Sequence, residues 1–315
     1  MKDVTPIEEF GRQLIVTGDL DPLYIALVGA ELEPTKLKRL LFAYWCFYNA
    51  GAASYIADAP TADKYWGRML KAAYNTAETP IGGRWPRGHE RRHFRGAAAI
   101  TAVDSYMQLA PDGPEALVDA FANHPRDHGK EGRLPFKLVS KRVQQLRLFG
   151  PWMAFKVGDM LERVMGVPIC FEDADVFMFD SPYKAALMQA DMLIGNRDEF
   201  PSDASRIKWV VDHLGQAYSD LAAPPHFDRP IQLQEVETVL CKWKSSLSGH
   251  YPMGLDSREL SLGLHEWSLV SETAQQLGAA FRSFLDGDHN QQALHELNAQ
   301  AAGRMRGEPW EGAKS

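Results

Sequence analysis

The residues best suited to chemistry fall in two stretches. From Arg84 to Arg95 the chain reads R-W-P-R-G-H-E-R-R-H-F-R, and further along Glu172, Asp173 and Asp175 place three carboxylates within four positions. A planar guanidinium binds phosphate oxygens in pairs, and the glycines at 82, 83 and 88 let backbone N–H groups approach an anion. Arg84, Arg87, Arg91, Arg92, His93 and Arg95 are therefore candidates for phosphate recognition; a solvated basic loop with internal ion pairs is the alternative. A carboxylate near such a site can take a proton from a nucleophile, which makes Asp173 and Asp175 the catalytic candidates. Either Asp is equally suited to capping a following helix. Lys156 is a further phosphate contact or a solvated helix residue.

The run from Val139 to Pro182 must position these groups. Val139, Val143 and Leu146, then Met153, Val157, Met160, Leu161 and Val164, recur at three- and four-residue steps, so two amphipathic helices flank the break at Phe149-Gly150-Pro151. This is a helix-hairpin-helix outline. Gly150 tolerates a left-handed backbone, and Pro151 suits the first turn of a helix whose free N–H groups would face an anion. A basic stretch feeds the hairpin: Arg126, Lys130, Arg133, Lys137, Lys141, Arg142 and Arg147 stand against Asp127 and Glu131 alone. Lys141, Arg142, Arg147, Phe149, Gly150 and Trp152 are the nucleic-acid contacts this outline suggests.

The order of these parts resembles the helix-hairpin-helix DNA glycosylases. In that family a hairpin of the form L-P-G-x-G precedes a V-D-T segment whose Asp is catalytic. This chain offers Leu148-Phe149-Gly150-Pro151-Trp152, and then Glu172-Asp173-Ala174-Asp175-Val176-Phe177. Trp152 stands where the second hairpin glycine would be, and Ala154 stands where the bifunctional members keep a Schiff-base lysine.

Composition bounds the class. The chain has 315 residues, 45% hydrophobic and 24% charged, with formal net charge -7, which is ordinary for a folded globular protein with one large core or two smaller ones. Cys46, Cys170 and Cys241 are too few and too scattered for a disulfide framework or a cysteine-rich metal site, so a reducing cytoplasm is the expected compartment. No basic-then-apolar leader and no apolar run near twenty residues appears, so no membrane partner is expected. His124 and His128 have a metal-like spacing, but Pro125 and Gly129 make the segment a loop, and no metal or other cofactor is expected.

Helical periods dominate the rest, and an all-α fold is expected. Helices are predicted over 6–15, 36–57, 63–74, 96–109, 183–194, 205–221, 233–247 and about 268–285, with a possible start at Tyr24. The helix over 36–57 is apolar around much of its circumference, so its aromatics (Tyr44, Trp45, Phe47, Tyr48) are expected in the core; lining a nucleotide groove is the alternative. The stretch 1–34 shows little chemistry. Lys242, Lys244 and Tyr251 form a second candidate contact for backbone phosphates. The Pro-rich link at 223–230 suggests an arm over 1–35, a helical glycosylase-like core over 36–222 and a C-terminal subdomain over 223–315. P-loop and G-x-S-x-G motifs are absent.

Four segments together resemble a phage family: Phe42 to Tyr48, Gly88 to Gly96, Leu148 to Lys156 and Glu237 to Ser245. The family is that of the amino acid:DNA transferases of thymine hypermodification, related to the helical domain of 5-hydroxymethyluracil DNA kinases. The resemblance implies double-stranded DNA carrying pyrophosphorylated 5-hydroxymethyluracil as one substrate and a free amino acid, glycine in some members, as the other. The amine displaces pyrophosphate at the 5-methylene carbon, the arginine loop meets the leaving pyrophosphate, and the base is flipped out of the helix. A base-excision glycosylase and a non-catalytic DNA-binding module are the other readings. Because the positive charge is segregated in an acidic chain, duplex affinity is expected to fall steeply with salt, with a log–log slope of about -0.9 per phosphate neutralised. A salt titration of duplex binding checks this, and a flat profile contradicts it.

Overall fold

The computed structural model describes residues 6–75, 78–123, 132–171, 187 and 200–287. The fold is all-α. In chain order the helices are α1 (Pro6–Val16), α2 (Pro22–Gly29), α3 (Pro34–Phe47), α4 (Ala50–Ala57), α5 (Ala62–Tyr74), α6 (Gly96–Leu109), α7 (Glu115–Ala122), α8 (Phe136–Val143), α9 (Pro151–Arg163), α10 (Asp203–Ala217), α11 (Leu233–Leu247), α12 (Leu255–Trp267) and α13 (Glu272–Leu285), with a 3-10 turn at His89–Arg91. Two two-residue strands, β1 (Leu134–Pro135) and β2 (Ile169–Cys170), pair in parallel and tie the entry of α8 to the exit of α9. Among the described residues, no helix is long and apolar enough to cross a membrane.

The chain forms two compact units. One comprises Met1–Ile25, Phe171–Arg258 and Ser283–Ser315. Its core packs α1 against α10 and α11: Phe10 meets Trp243 edge-on at 5.3 Å, and Gly11 lies so close to Tyr218 that a Cβ would sit 2.0 Å from the phenol oxygen. The phenol donates to the Ile7 carbonyl at 3.1 Å.

In the same unit Asp19 is fully buried. Its carboxylate accepts from the Tyr251 hydroxyl, from Gly254 N at 2.7 Å, and from Ser257 N and Oγ at 2.9 and 2.6 Å. Gly254 immediately precedes α12 and Ser257 lies in its first turn, so Asp19 caps that helix from far away in sequence. Lys242 donates to the Asp19 carbonyl, to the Tyr251 hydroxyl at 3.0 Å and to Asp256 at 2.6 Å. Burial pushes the Lys242 ammonium down, but Asp256, Asp19 and Asp21 outweigh it and the net shift is upward.

The other unit comprises Ala26–Cys170 and Glu259–Arg282. Its centre is α3, whose Phe42 ring meets Trp66 of α5 at 6.1 Å, Tyr106 of α6 at 5.4 Å and Phe149 after α8 at 6.2 Å. Trp45 packs on Phe121 of α7 and donates to the Met160 sulfur of α9 at 3.2 Å. One aromatic face thereby gathers the helices that hold the hairpin. Truncating a buried aromatic such as Phe42 would cost about 3–5 kcal/mol.

Two expectations are corrected. The single helix predicted over 36–57 is two helices, because Tyr48 adopts a left-handed backbone (φ 52°, ψ 39°) and Asn49 caps α4 by accepting from Ala52 N at 2.9 Å. The aromatic run obscured that cap. The helix predicted at about 268–285 is α13, and α12 before it was not anticipated, since its start depends on Asp19. The helix predicted over 183–194 lies outside the described residues.

Asp19→Ala leaves buried donors on Tyr251, Gly254 and Ser257 without their acceptor, so a loss of about 3–5 kcal/mol is expected in chemical denaturation. A change below about 1 kcal/mol would contradict a role for Asp19 in holding α12.

Candidate functional site

Two helices, α8 and α9, flank the break at Phe149-Gly150-Pro151, but the turn between them differs from the expected one. Leu148 rather than Gly150 takes the left-handed backbone (φ 65°), while Gly150 is extended (φ -88°, ψ -176°) and serves as the N-cap of α9 without a side-chain bond. The first intrahelical bond runs from Ala154 N to Gly150 O at 2.9 Å, so the Trp152 and Met153 N–H groups precede it at the positive end of the helix dipole. Gly150 is exposed, with open space where a Cβ would stand. Lys141 and Arg147, which precede this turn, are exposed. Phe149, by contrast, is buried among Phe42 and Tyr106 and anchors the turn. Arg142 donates to the Ala120 and Asn123 carbonyls, the latter at 2.6 Å, and so closes the C-terminus of α7.

The arginine loop divides into inner and outer members. Arg91 is 2% exposed. Its Nε donates to Cys46 O at 3.1 Å and one terminal nitrogen donates to Leu148 O at 2.8 Å, with Phe94 and Phe149 rings 4.8 and 5.3 Å from the guanidinium carbon. Arg87 donates to the carbonyls of Ala72, Trp85 (3.0 Å) and Phe94 (2.7 Å) and to Asn75 Oδ1 (2.6 Å). Burial, then Arg95, pushes Arg87 down to about 10, still charged at neutral pH. Arg84, Arg92, His93 and Arg95 are exposed, and Arg92 lies 2.6 Å from the His89 ring nitrogen. Burial, with Arg91 and Arg92 beside it, lowers the His93 pKa, so this imidazole is neutral at pH 7. Arg84, Arg92 and Arg95 are thus the exposed cations of the loop.

A third feature emerges from the ends of α3 and α9. Tyr44 and Tyr48 stack at 4.6 Å between ring centroids, Tyr48 meets Trp152 at 5.2 Å, and all three rings are half-buried. The aromatic run of α3 is thus split: Phe42, Trp45 and Phe47 are in the core, while Tyr44 and Tyr48 face the hairpin. Desolvation first, then Tyr48 and Glu90, hold the Tyr44 phenol well above the usual range, so it acts as a neutral hydrogen-bonding group. The same cluster reaches Lys156, which is 7% exposed and not a solvated residue. Lys156 lies 3.8 Å from Asp159, and Arg163 lies 3.4 Å from the same carboxylate, giving a charged stripe along the buried side of α9. The i, i+4 spacing of Tyr44 and Tyr48 ahead of the Asn49 cap was the available signal for this surface.

The second candidate patch is different in kind. Lys242 and Tyr251 are turned into the Asp19 network, with all three Lys242 donors engaged, and Lys244 is half-buried on α11. Asp173 and Asp175, with Glu172, and the pair His124 and His128, lie outside the described residues.

Arg91→Ala leaves two carbonyls without a donor and a cavity between aromatic rings; a loss of about 2–4 kcal/mol is expected in thermal or chemical denaturation, and Arg91→Lys does not restore it because an ammonium cannot span both carbonyls. Arg92→Ala is expected to stay within about 0.5 kcal/mol of wild type while weakening anion binding. Equal stability of the Arg91→Ala and Arg92→Ala proteins would contradict the division into inner and outer arginines.

Comparison with known proteins gives this geometry a setting. The family model described as amino acid:DNA transferase matches residues 13–251. A glycinyltransferase of Pseudomonas phage PaMx11 is 44% identical over 281 residues, covering 85% of this chain and 93% of that protein. A putrescinyltransferase of Delftia phage PhiW-14 is 26% identical over 267 residues, covering 83% of this chain and 78% of that protein. The match spans the hairpin, the arginine loop and the aromatic cluster alike, and it decides against the glycosylase and the non-catalytic module. The chain belongs to the amino acid:DNA transferase family and is a DNA-modifying enzyme whose substrates are DNA and an amino acid.

Proposed function

We propose that the enzyme joins the amine of glycine to the 5-methylene carbon of pyrophosphorylated 5-hydroxymethyluracil in duplex DNA, releasing pyrophosphate. The observation that carries the reading is the 44% identity, over 93% of its length, to a protein named glycinyltransferase. The amine lone pair forms the new C–N bond as the C–O bond to pyrophosphate breaks, and the bonding pair leaves on the pyrophosphate oxygen. Two needs follow. The departing group gains negative charge and requires cations, which the exposed Arg84, Arg92 and Arg95 supply. The ammonium of the free amino acid must lose a proton to become a nucleophile, and Asp173 or Asp175 takes it.

DNA is held at the hairpin in this reading. A backbone phosphate meets the N-terminus of α9 at Gly150 and Trp152, with the exposed Lys141 and Arg147 beside it. The 5-methylene group is reached with the base flipped out of the stack. The three free thiols, with buried Cys46 pushed up to about 12, suit a reducing cytoplasm.

Incubation of the protein with pyrophosphorylated hydroxymethyluracil DNA and single amino acids, followed by mass spectrometry of the nucleosides, tests the reading. A glycinyl-methyluridine product is expected; conversion with another amine alone would reassign the donor. Asp173→Asn should retain duplex affinity while transfer falls by about 10²–10⁴, the range for lost acid–base catalysis, with Asp175→Asn as the comparison. Normal transfer by both proteins would remove this segment from the mechanism.

A further inference from the structure

We propose that Tyr44, Tyr48 and Trp152 form a stacking shelf that receives the target uracil ring, and that Tyr48 is a specificity-determining residue for the reaction. This inference rests on the reading of the protein as a transferase acting on a base in DNA. Three observations carry it.

The first is where the rings stand. Tyr44 and Tyr48 stack at 4.6 Å and Trp152 meets Tyr48 at 5.2 Å, so three aromatic rings cluster at the first turn of α9, where the hairpin offers its N–H groups. All three remain half-buried, whereas the aromatic neighbours Phe42, Trp45, Phe47 and Phe149 are buried. A cluster of partly exposed aromatic rings beside the positive end of a helix dipole suits a nucleobase and its phosphate.

The second is what holds Tyr48. Its left-handed backbone is unfavourable for a residue with a side chain, by about 1 kcal/mol or more. Two contacts keep it there. Gly88 N donates to Phe47 O at 3.0 Å, and Arg91 donates to Cys46 O at 3.1 Å, so the last carbonyls of α3 are clamped by the arginine loop. Arg91 also donates to Leu148 O, fixing the end of α3 against the hairpin turn that carries Trp152. The arginine loop thus holds the strained end of α3 and, through Arg91, the turn that leads to Trp152.

The third is the link to the leaving group. A Cβ on Gly88 would lie 2.5 Å from Tyr48 O and 2.8 Å from its ring carbon Cδ1, so glycine is needed for the loop to press on Tyr48. The same loop then carries the exposed Arg92 and Arg95. A ring on the shelf therefore adjoins a loop whose exposed cations can serve its 5-substituent.

Two measurements test the proposal. In the first, a duplex carrying 5-iodouracil at a position the wild-type enzyme modifies is irradiated in complex with the wild-type protein, and the crosslinked peptide is mapped; the crosslink is expected at Tyr44, Tyr48 or Trp152. In the second, Tyr48→Ala and Gly88→Ala are expected to lower kcat/KM for transfer by about 10–100-fold, the range for loss of one base-stacking aromatic. Affinity for unmodified duplex should stay within about twofold, and Tyr48→Phe should remain near wild type, because stacking needs the ring and not the hydroxyl. A crosslink confined to other residues overturns the shelf, and so does undiminished transfer by a folded Tyr48→Ala protein. The crosslink uses wild-type protein, so a variant that fails to fold does not shield the idea. If the wild-type protein transfers no amine, the proposed function fails, and crosslinking to a duplex with 5-iodouracil at every thymine position still reads the shelf by itself.

Discussion

The site depends on one buried guanidinium. Arg91 reaches Cys46 O on α3 and Leu148 O in the hairpin turn, between the rings of Phe94 and Phe149. One carbonyl partner lies at the end of α3 beside the left-handed Tyr48, and the other is that of Leu148, itself left-handed, in the turn before α9. A backbone carbonyl at a helix end has no partner of its own, and a left-handed residue with a side chain is unfavourable. A cation that satisfies two such carbonyls offsets both costs at once, and desolvation, which lowers its pKa, cannot neutralise a group so basic. The hairpin and the end of α3 are thereby held in one register.

The two units handle buried charge in the same manner, by supplying enough partners. In the first, Asp19 collects donors from Tyr251, Gly254 and Ser257 while Lys242 finds three oxygens. In the second, Lys156, Asp159 and Arg163 line one side of α9. Removing one member of such a group costs more than the group contributes as a whole, because the remaining charge stays buried. The difference lies in location. The Asp19 network joins α11 to the start of α12, while Lys156 at the head of the α9 stripe acts on the half-buried Tyr44.

The proposed reaction asks for three things at one place: cations for the pyrophosphate, a carboxylate for the amine proton and a firm seat for the base. The unit built on α3 and α9 brings cations and aromatic rings together through Gly88 and Arg91. Rigid seating matters because displacement at a methylene carbon requires nucleophile, carbon and leaving oxygen to be nearly in line, and misplacement by an ångström can lower the rate by about 10²-fold. Relatives named for different amines, glycine and putrescine, share most of this chain's length.

The sequence by itself determined the all-α class, most helix positions, the break between helices at Phe149-Gly150-Pro151 and the family. Those features are written locally: a helix shows in the spacing of apolar residues, and a turn shows in the glycine and proline that its backbone demands. Only the tertiary structure decided which members of each motif face inward. Five arginines in the loop look alike in sequence, yet Arg87 and Arg91 are drawn inward because unpartnered carbonyls of Ala72, Cys46 and Leu148 lie within their reach. Lys242 and Tyr251 look like surface contacts until Asp19, from the stretch that showed little chemistry, is packed beside them. Tyr44 and Tyr48 belong to a run that reads as core, yet Tyr48, in its left-handed turn, stacks on Tyr44 and meets Trp152. Periodicity tells which residues share a face of a helix; what that face meets is set by segments far away in the chain.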